Sequence, residues 1–218
     1  GSEMCIRDSL CTPHSLPYYK YENDAQTLAA PFAALQELIA EENWPIETAL
    51  GCEFFLTDAS LEWIRSGRAL TLNGSRRLLI EFPWYQKVQL GSSETELLKQ
   101  VLDAGYEVII AHPERYKSVQ EDFSTLKRWR ALGCDFQVNR TSLIHNDDKE
   151  QCALAWRMVE EGYCDAIGTD AHHCWGKRVI KLSDVQAEIE RRTDRDTALL
   201  LCHENGRRLI TGDALIHR

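Results

Sequence analysis

The feature that most constrains the fold is an alternation of strand-like apolar runs with helix-like segments. The run 77–82 (RLLIEF) is typical of a strand buried on both faces, 106–111 (YEVIIA) is also predicted as a strand, and 46–55 has strand length with mixed polarity. Shorter strands are predicted at 135–138 and 165–168. Helices are predicted over 23–42, 94–104, 123–132, 149–161, 182–192 and 197–204. Such alternation predicts parallel βαβ units, arranged as an open sheet or a closed barrel.

The domain organisation follows from length and composition. The chain has 218 residues, of which 44% are hydrophobic, and this is enough for one sizeable core. Residues 1–9 show neither strand alternation nor helical periodicity, and a Gly-Ser start is typical of a tag remnant or sequencing scar. We therefore predict one domain over 10–218, incomplete at its N-terminus, preceded by a segment that takes no part in the fold.

Charge and cysteine usage limit the possible partners and location. The formal charge of −9 argues against nucleic-acid binding, although bound metal ions would let an acidic enzyme accept phosphate substrates. The eight cysteines include no CxxC pair, which favours reduced thiols. No apolar run approaches the roughly 18–20 residues that cross a bilayer, and no signal segment opens the chain. These features predict a cytoplasmic protein without membrane insertion.

Side chains that can bind metals lie at or just beyond the carboxyl ends of the predicted strands. In a parallel barrel these ends face one mouth, where active sites of such enzymes lie. Imidazole and carboxylate together suit Mn, Fe or Zn better than Ca or thiolate-rich structural zinc. The six candidate metal ligands are His14, Glu53, Glu81, His112, Asp170 and His172.

These candidates differ in strength. A lone histidine at a strand end is more often structural than a ligand, whereas Glu81 ends the apolar run LLI and is costly to bury unless it is paired or metal-bound. Asp170 and His172 alternate along an extended segment, so both can reach one ion. Arg115 is a candidate for binding phosphate through its planar guanidinium, with a salt bridge to Glu114 or to a helix carboxylate as the alternative.

Several motifs resemble those of the bacterial tyrosine phosphatases of the polymerase-and-histidinol-phosphatase (PHP) type, which are associated with capsule and exopolysaccharide operons. The resemblance covers about residues 10–215, and the combination of IEFP, AHPERY and TDAH is specific. The motifs are TPH (12–14), GCE (51–53), LLIEFP (78–83), AHPERY (111–116), QVN with Ser142 (137–142) and GTDAHH (168–173).

The resemblance implies a distorted (β/α)7 TIM-like barrel with up to three metal ions, usually manganese, with Fe, Zn or Mg as alternatives. It implies the six ligands named above, with Arg115, Asp170 and His172 as catalytic residues. The implied reaction is attack of a metal-bound hydroxide on phosphotyrosine in the tail of a bacterial tyrosine autokinase. No Cys-x5-Arg loop is present, so cysteine-based catalysis is not expected.

One departure from the family is a missing His-x-His motif, which family members carry on a strand before TPH and which occurs nowhere in this sequence. We therefore expect a chain that lacks the first strand, with at least one incomplete metal site and weak or absent activity. Unpaired strand edges would then favour self-association.

Two other functions stay open. The first keeps the fold and changes the substrate to histidinol phosphate or another small phosphomonoester. The second is a metal-depleted protein that binds phosphotyrosine tails without turnover, which the missing His-x-His motif favours.

Overall fold

A computed structural model describes residues 8–83, 90–145 and 147–218 of the chain. The described residues divide into two compact units. The N-terminal unit holds those up to Ile109 together with Ile210–Gly212, and the C-terminal unit holds those in Ile110–Leu209 and Asp213–Arg218. The expectation of one phosphoesterase domain over 10–218 stays a prediction.

Parallel strands form the centre of the N-terminal unit. Strand β1 (Asp8–Cys11) pairs with β3 (Glu47–Leu50), and β2 (His14–Ser15) pairs with β4 (Glu53–Phe55), which also pairs with β5 (Arg77–Glu81). The described helices of this unit are α1 (Ala25–Glu41), α2 (Leu61–Arg65) and α3 (Glu94–Asp103). The apolar side chains Phe54, Leu78 and Ile80 of β4 and β5 are completely buried.

The prediction of one strand over 46–55 was wrong, because the chain breaks between β3 and β4. The break is matched on the neighbouring strand, where it separates β1 from β2. Gly51 N donates to Cys11 O (2.9 Å) and Glu53 N donates to Pro13 O (3.2 Å), so the two interrupted strands continue side by side. A side chain at Gly51 would meet Leu72 at 2.7 Å, and this close approach accounts for the glycine.

Strands β1 and β2 were not predicted from the sequence. Asp8 and Ser9 belong to β1, so this strand begins within the segment 1–9 that was set aside from the fold. A four-residue strand without alternation gives no periodic signal, and only its pairing partner identifies it. Residues 1–7 lie outside the described residues, and the origin of this segment stays a prediction.

Strand β6 (Glu107–Ala111) carries the chain from the N-terminal to the C-terminal unit. In the C-terminal unit, β7 (Asp135–Asn139) pairs in parallel with β8 (Ala166–Gly168). Helices of this unit are α4 (Lys117–Glu121), α5 (Ser124–Leu132), α6 (Arg140–Ile144), α7 (Lys149–Glu160), α8 (Ser183–Arg192) and α9 (Arg195–Leu199). A π-helical turn, Leu200–Glu204, then leads into α10 (Asn205–Thr211), which was not predicted.

The structure therefore has an α/β fold with parallel strands, as predicted. Helix α1 begins after Asp24, one of the two predicted N-caps, whose side chain accepts from the backbone of Gln26 and Thr27. Helix α5 ends at Gly133, where the backbone is left-handed. The finer expectation of a distorted (β/α)7 barrel without its first strand stays a prediction.

Candidate metal centre

Three predicted ligands meet in the N-terminal unit. His14 Nδ1 lies 3.3 Å from Glu53 Oε2 and 3.5 Å from Glu81 Oε2. The strand register explains this, because His14 is the pairing partner of Glu53, and Glu81 is the partner of Phe55 on the next strand. Three adjacent parallel strands thus each place one donor in the same group, which we call the His14 cluster.

The His14 cluster has the donor set of a divalent metal site. One imidazole nitrogen and two carboxylate oxygens lie within 4.8 Å of one another. Both glutamates are buried, and two buried carboxylates this close repel each other unless a cation or a proton lies with them. Imidazole with carboxylates is a set that Mn, Fe and Zn accept, and the residues therefore fit such an ion. Protonated His14 is the competing explanation for how this charge is balanced.

In the C-terminal unit the central side chain is Asp170. Its Oδ2 lies 3.1 Å from Arg115 Nη1 and accepts a hydrogen bond from Asn139 Nδ2 at 2.8 Å. Its Oδ1 is paired with Arg178 Nη2. Burial by itself raises the pKa of Asp170, but the positive charges of Arg115 and Arg178 outweigh burial and hold the pKa below its usual value. Asp170 is therefore ionised at neutral pH.

His112 and His172 are the other two predicted ligands in the C-terminal unit. His112 follows β6 in a left-handed conformation (φ 35°), and its backbone N donates to Gln137 O at 2.7 Å. Its ring is buried and makes an edge contact with Tyr116, whose hydroxyl donates to Ala111 O at 2.7 Å. His172 is more exposed, and its Nδ1 lies 3.6 Å from Asp170 Oδ1. Three of the six predicted ligands thus lie in each unit.

Sequence reasoning left Arg178 unassigned, yet it is a principal partner of Asp170. Its Nε donates to Asp170 O at 3.0 Å, in addition to its contact with the carboxylate. The backbone N of His172 donates to Arg178 O at 3.0 Å. Two guanidiniums therefore hold one carboxylate, and both belong to short segments beside a predicted ligand. The only sequence signal for this arginine was the pair of basic residues that follows TDAHH, Lys177 and Arg178. Spacing alone could not show which of the two would contact Asp170.

Glu114 is a second residue that sequence reasoning did not assign to the site. Its carboxylate is completely buried, and Oε1 accepts from Asn139 N (3.0 Å) and from Ser142 Oγ (2.7 Å). Gln151 Nε2 in turn donates to Ser142 Oγ at 2.7 Å. The side chain of Asn139 donates to Asp170, so Glu114 holds in place a residue that contacts Asp170. The predicted alternative of an ion pair between Glu114 and Arg115 is not among the described contacts, in which Arg115 pairs with Asp170.

A second group of potential ligands, Asp135, Asp165 and His217, has a different character. Arg130 Nη2 lies 2.7 Å from Asp165, and Arg130 Nη1 lies 3.2 Å from Asp135. His217 Nδ1 lies 3.0 Å from Asp165 Oδ1. The Arg130 guanidinium contacts both carboxylates, and we therefore interpret the group as an ion-pair network.

Four of the described cysteines are buried and poorly suited to act as nucleophiles. Burial raises the pKa of the thiols of Cys52, Cys134 and Cys202 to about 12, and it also raises that of Cys164. Thiols with raised pKa values are poorly reactive because the thiolate is the nucleophile. The described cysteines form no disulfide. In addition, the described helices include none with the length and apolar character needed to cross a membrane.

Fold and site together define an α/β protein whose parallel strands carry a histidine–carboxylate group suited to a divalent metal. The chain belongs to the CpsB/CapC family of capsular polysaccharide synthesis proteins, whose family model matches residues 2–211. The resemblance seen in the motifs is thereby confirmed at the level of the family.

Individual relatives agree with this assignment. The chain is 28% identical to CapC of Staphylococcus aureus over 167 residues and 28% identical to the tyrosine-protein phosphatase YwqE of Bacillus subtilis over 169 residues, covering 77% of this chain in each case. It spans 64% and 65% of the length of these relatives, just under two thirds.

A solved structure shows the same fold. It comes from crystal structures of B. subtilis YwqE and Streptococcus pneumoniae CpsB, described as unique metal-dependent tyrosine phosphatases. The TM-score is 0.85 at 24% sequence identity, and the match covers 98% of this chain and 84% of the other. At this identity the match establishes the fold alone.

Proposed function

We propose that this chain is a metal-dependent phosphotyrosine-protein phosphatase. The observation that carries the proposal is the His14 cluster, in which two buried glutamates and one imidazole form a divalent-ion donor set in a chain of the CpsB/CapC family. Relatives named tyrosine-protein phosphatases support the substrate class. The acidic net charge is compatible with a phosphate substrate only if cations balance it locally.

The ligand set that we propose is the predicted one: His14, Glu53, Glu81, His112, Asp170 and His172. Divalent ions bound there, with manganese as our first candidate, would activate water near neutral pH and stabilise charge on the transferring phosphoryl group. The distorted (β/α)7 barrel is part of the same proposal, and the likeness to the YwqE and CpsB structures supports it.

The arginines beside Asp170 are proposed to hold the phosphate. Arg115 and Arg178 each present a planar set of N–H donors, which matches the oxygens of a phosphomonoester. Asp170 orients both guanidiniums in the absence of substrate, so their geometry is set before binding. Arg115, Asp170 and His172 are the residues that we propose as catalytic.

The proposed substrate is the phosphorylated tyrosine-rich tail of a bacterial tyrosine autokinase involved in capsule synthesis. The family's association with capsular polysaccharide synthesis supports this partner. We also propose a cytoplasmic location, which the free, buried thiols support.

The experiment is phosphate release from a phosphotyrosine peptide by the purified chain, after treatment with a chelator and after addition of Mn²⁺. We expect activity only with the metal, and a higher kcat/KM for the peptide than for histidinol phosphate. A preference for histidinol phosphate would identify a small-molecule phosphatase instead. Binding of the peptide without turnover at any metal concentration would identify a non-catalytic phosphotyrosine-binding protein.

A further inference from the structure

An exposed tryptophan, Trp175, lies in the loop between His172 and Arg178. Its side chain is 72% exposed and stacks on the ring of His173, with centroids 5.4 Å apart and an interplanar angle of 21°. Single exposed apolar residues are common on protein surfaces, so exposure alone carries no function. Two further features distinguish Trp175 from other exposed apolar residues: its loop is anchored, and it lies close along the chain to Arg178.

The loop is held at both ends. The backbone N–H groups of His172 and His173 donate to Arg178 O at 3.0 and 3.2 Å, which closes the loop at its base. Next to the tip, Lys177 O accepts from Arg140 Nη1 at 2.8 Å, and Lys177 Nζ lies 2.6 Å from Asp147 Oδ2. These bonds hold the backbone that carries Trp175 in a defined position.

A tight turn directs this tryptophan outward. Gly176 follows it with φ +82°, in the left-handed region, and a Cβ placed there would meet no other atom within 4 Å. Glycine is therefore present for its backbone conformation and not for close packing. The turn lets the chain reverse from Trp175 to the anchored Lys177 without burying the indole.

The loop also keeps Trp175 close along the chain to Arg178, one of the two arginines that we assign to phosphate. Trp175 is three residues from Arg178 and three from His172, and three residues span at most about 11 Å. Arg178 contacts Asp170 through both its Nε and Nη2 atoms. A phosphate held by these guanidiniums would therefore have its organic substituent within reach of a flat, exposed aromatic surface.

We propose that Trp175, supported by His173, is a specificity-determining contact for the aromatic ring of phosphotyrosine; this rests on the proposed function. The indole face stacks on the phenyl ring, in the way that aromatic pairs prefer in proteins. The small alkyl group of phosphoserine leaves this surface uncovered. Trp175 thus favours aryl over alkyl phosphates without touching the reacting atoms.

The test is to compare Trp175→Ala with Trp175→Phe and with a matched control, Trp44→Ala, which removes another exposed tryptophan. Three quantities are measured in each protein: kcat and KM for a phosphotyrosine peptide, the inhibition constant of inorganic phosphate, and the dissociation constant of phosphotyrosine from calorimetry. For Trp175→Ala we expect KM and the dissociation constant to rise about 3- to 10-fold. The kcat and the inhibition constant of phosphate should change less than about 2-fold. Trp175→Phe should retain most of the binding, and Trp44→Ala all of it.

Two outcomes would overturn this inference alone. One is a Trp175→Ala protein that behaves like Trp44→Ala. The other is an equal weakening of phosphate and phosphotyrosine binding, which would show that the tryptophan only stabilises the loop. A wild-type chain that neither hydrolyses nor binds phosphotyrosine in the presence of Mn²⁺ would instead overturn the proposed function, and this inference with it.

Discussion

Arg115 Nη1 lies 3.1 Å from Asp170 Oδ2, and both side chains are almost completely buried. A pair of this kind is rarely retained for stability, because desolvation of the charges offsets most of their attraction. Here the carboxylate has a second guanidinium partner in Arg178, so Arg115 is not the only positive charge that neutralises Asp170. This arrangement suits a binding arginine better than a structural one.

Replacement of this arginine is therefore expected to impair catalysis more than folding. Arg115→Ala should lower kcat/KM for a phosphotyrosine peptide about 100-fold. This is the usual effect in enzymes of removing one hydrogen-bond donor that stabilises charge in the transition state. Arg115→Lys should restore only part of the activity, because lysine keeps the charge without the planar set of donors. The control is Arg128→Ala, which removes an exposed arginine paired with Asp122. Equal activity of the Arg115→Ala and Arg128→Ala proteins would contradict the role of Arg115.

Glu114 is expected to contribute to both stability and activity. Glu114→Gln keeps the shape of the side chain but replaces an ionisable acceptor that serves Asn139 N and Ser142 Oγ. We expect the free energy of unfolding in urea to fall by about 1–3 kcal/mol, the usual effect of disturbing a buried acceptor. The kcat should also fall, because Asn139 positions Asp170. Ser142→Ala, which removes one donor to the same oxygen, should have a smaller effect; an unchanged Glu114→Gln protein would argue against this network.

The ion pair between Arg140 and Asp184 predicts a pH-dependent contribution to stability. The hydrogen bonds from Arg140, at 2.6 and 2.8 Å, lower the pKa of Asp184 to about 2. A carboxyl group whose pKa is lower in the folded state stabilises the fold above its unfolded pKa, near 3.9, and this contribution is lost as pH falls towards 2. After allowance for solvent screening, the contribution is about 1 kcal/mol.

Urea unfolding of Asp184→Asn at pH 7, 5, 4 and 3 measures this contribution. The difference from wild type should be constant at pH 7 and 5 and shrink between pH 4 and 3. Asp122→Asn, at an exposed pair, serves as the control and should show little difference at pH 7. A difference for Asp184→Asn that grows as the pH falls would contradict the lowered pKa of this carboxyl group.

The sequence predicted the longer elements because their periodicity is local. Runs such as LLIE before Phe82 and VIIA before His112 are apolar throughout or nearly so, and buried parallel strands need this composition. Gly133 and Gly162 both have positive φ, and each follows a helix that was predicted to end there. Strands β1 and β2 and the break between β3 and β4 were not predicted, because they depend on pairing between segments distant in sequence.

The candidate site was predictable only in part, for a similar reason. His14, Glu53 and Glu81 were identified by their position beside strands, and neighbouring strands bring these three residues together. Arg178 was not assigned, because its contact with Asp170 depends on how a loop folds back. The roles of all six predicted ligands stay proposals until a metal is measured.

The most direct measurement is calorimetric titration of the metal-stripped chain with Mn²⁺, comparing wild type with His14→Ala and His217→Ala. Each histidine lies near two carboxylates, but those beside His217 are both in contact with the Arg130 guanidinium. We predict that His14→Ala weakens Mn²⁺ binding at least about 10-fold and that His217→Ala leaves it unchanged. Mn²⁺ binding that is identical in wild type and His14→Ala, or absent from the wild-type chain, would contradict the assignment of the His14 cluster as a metal site.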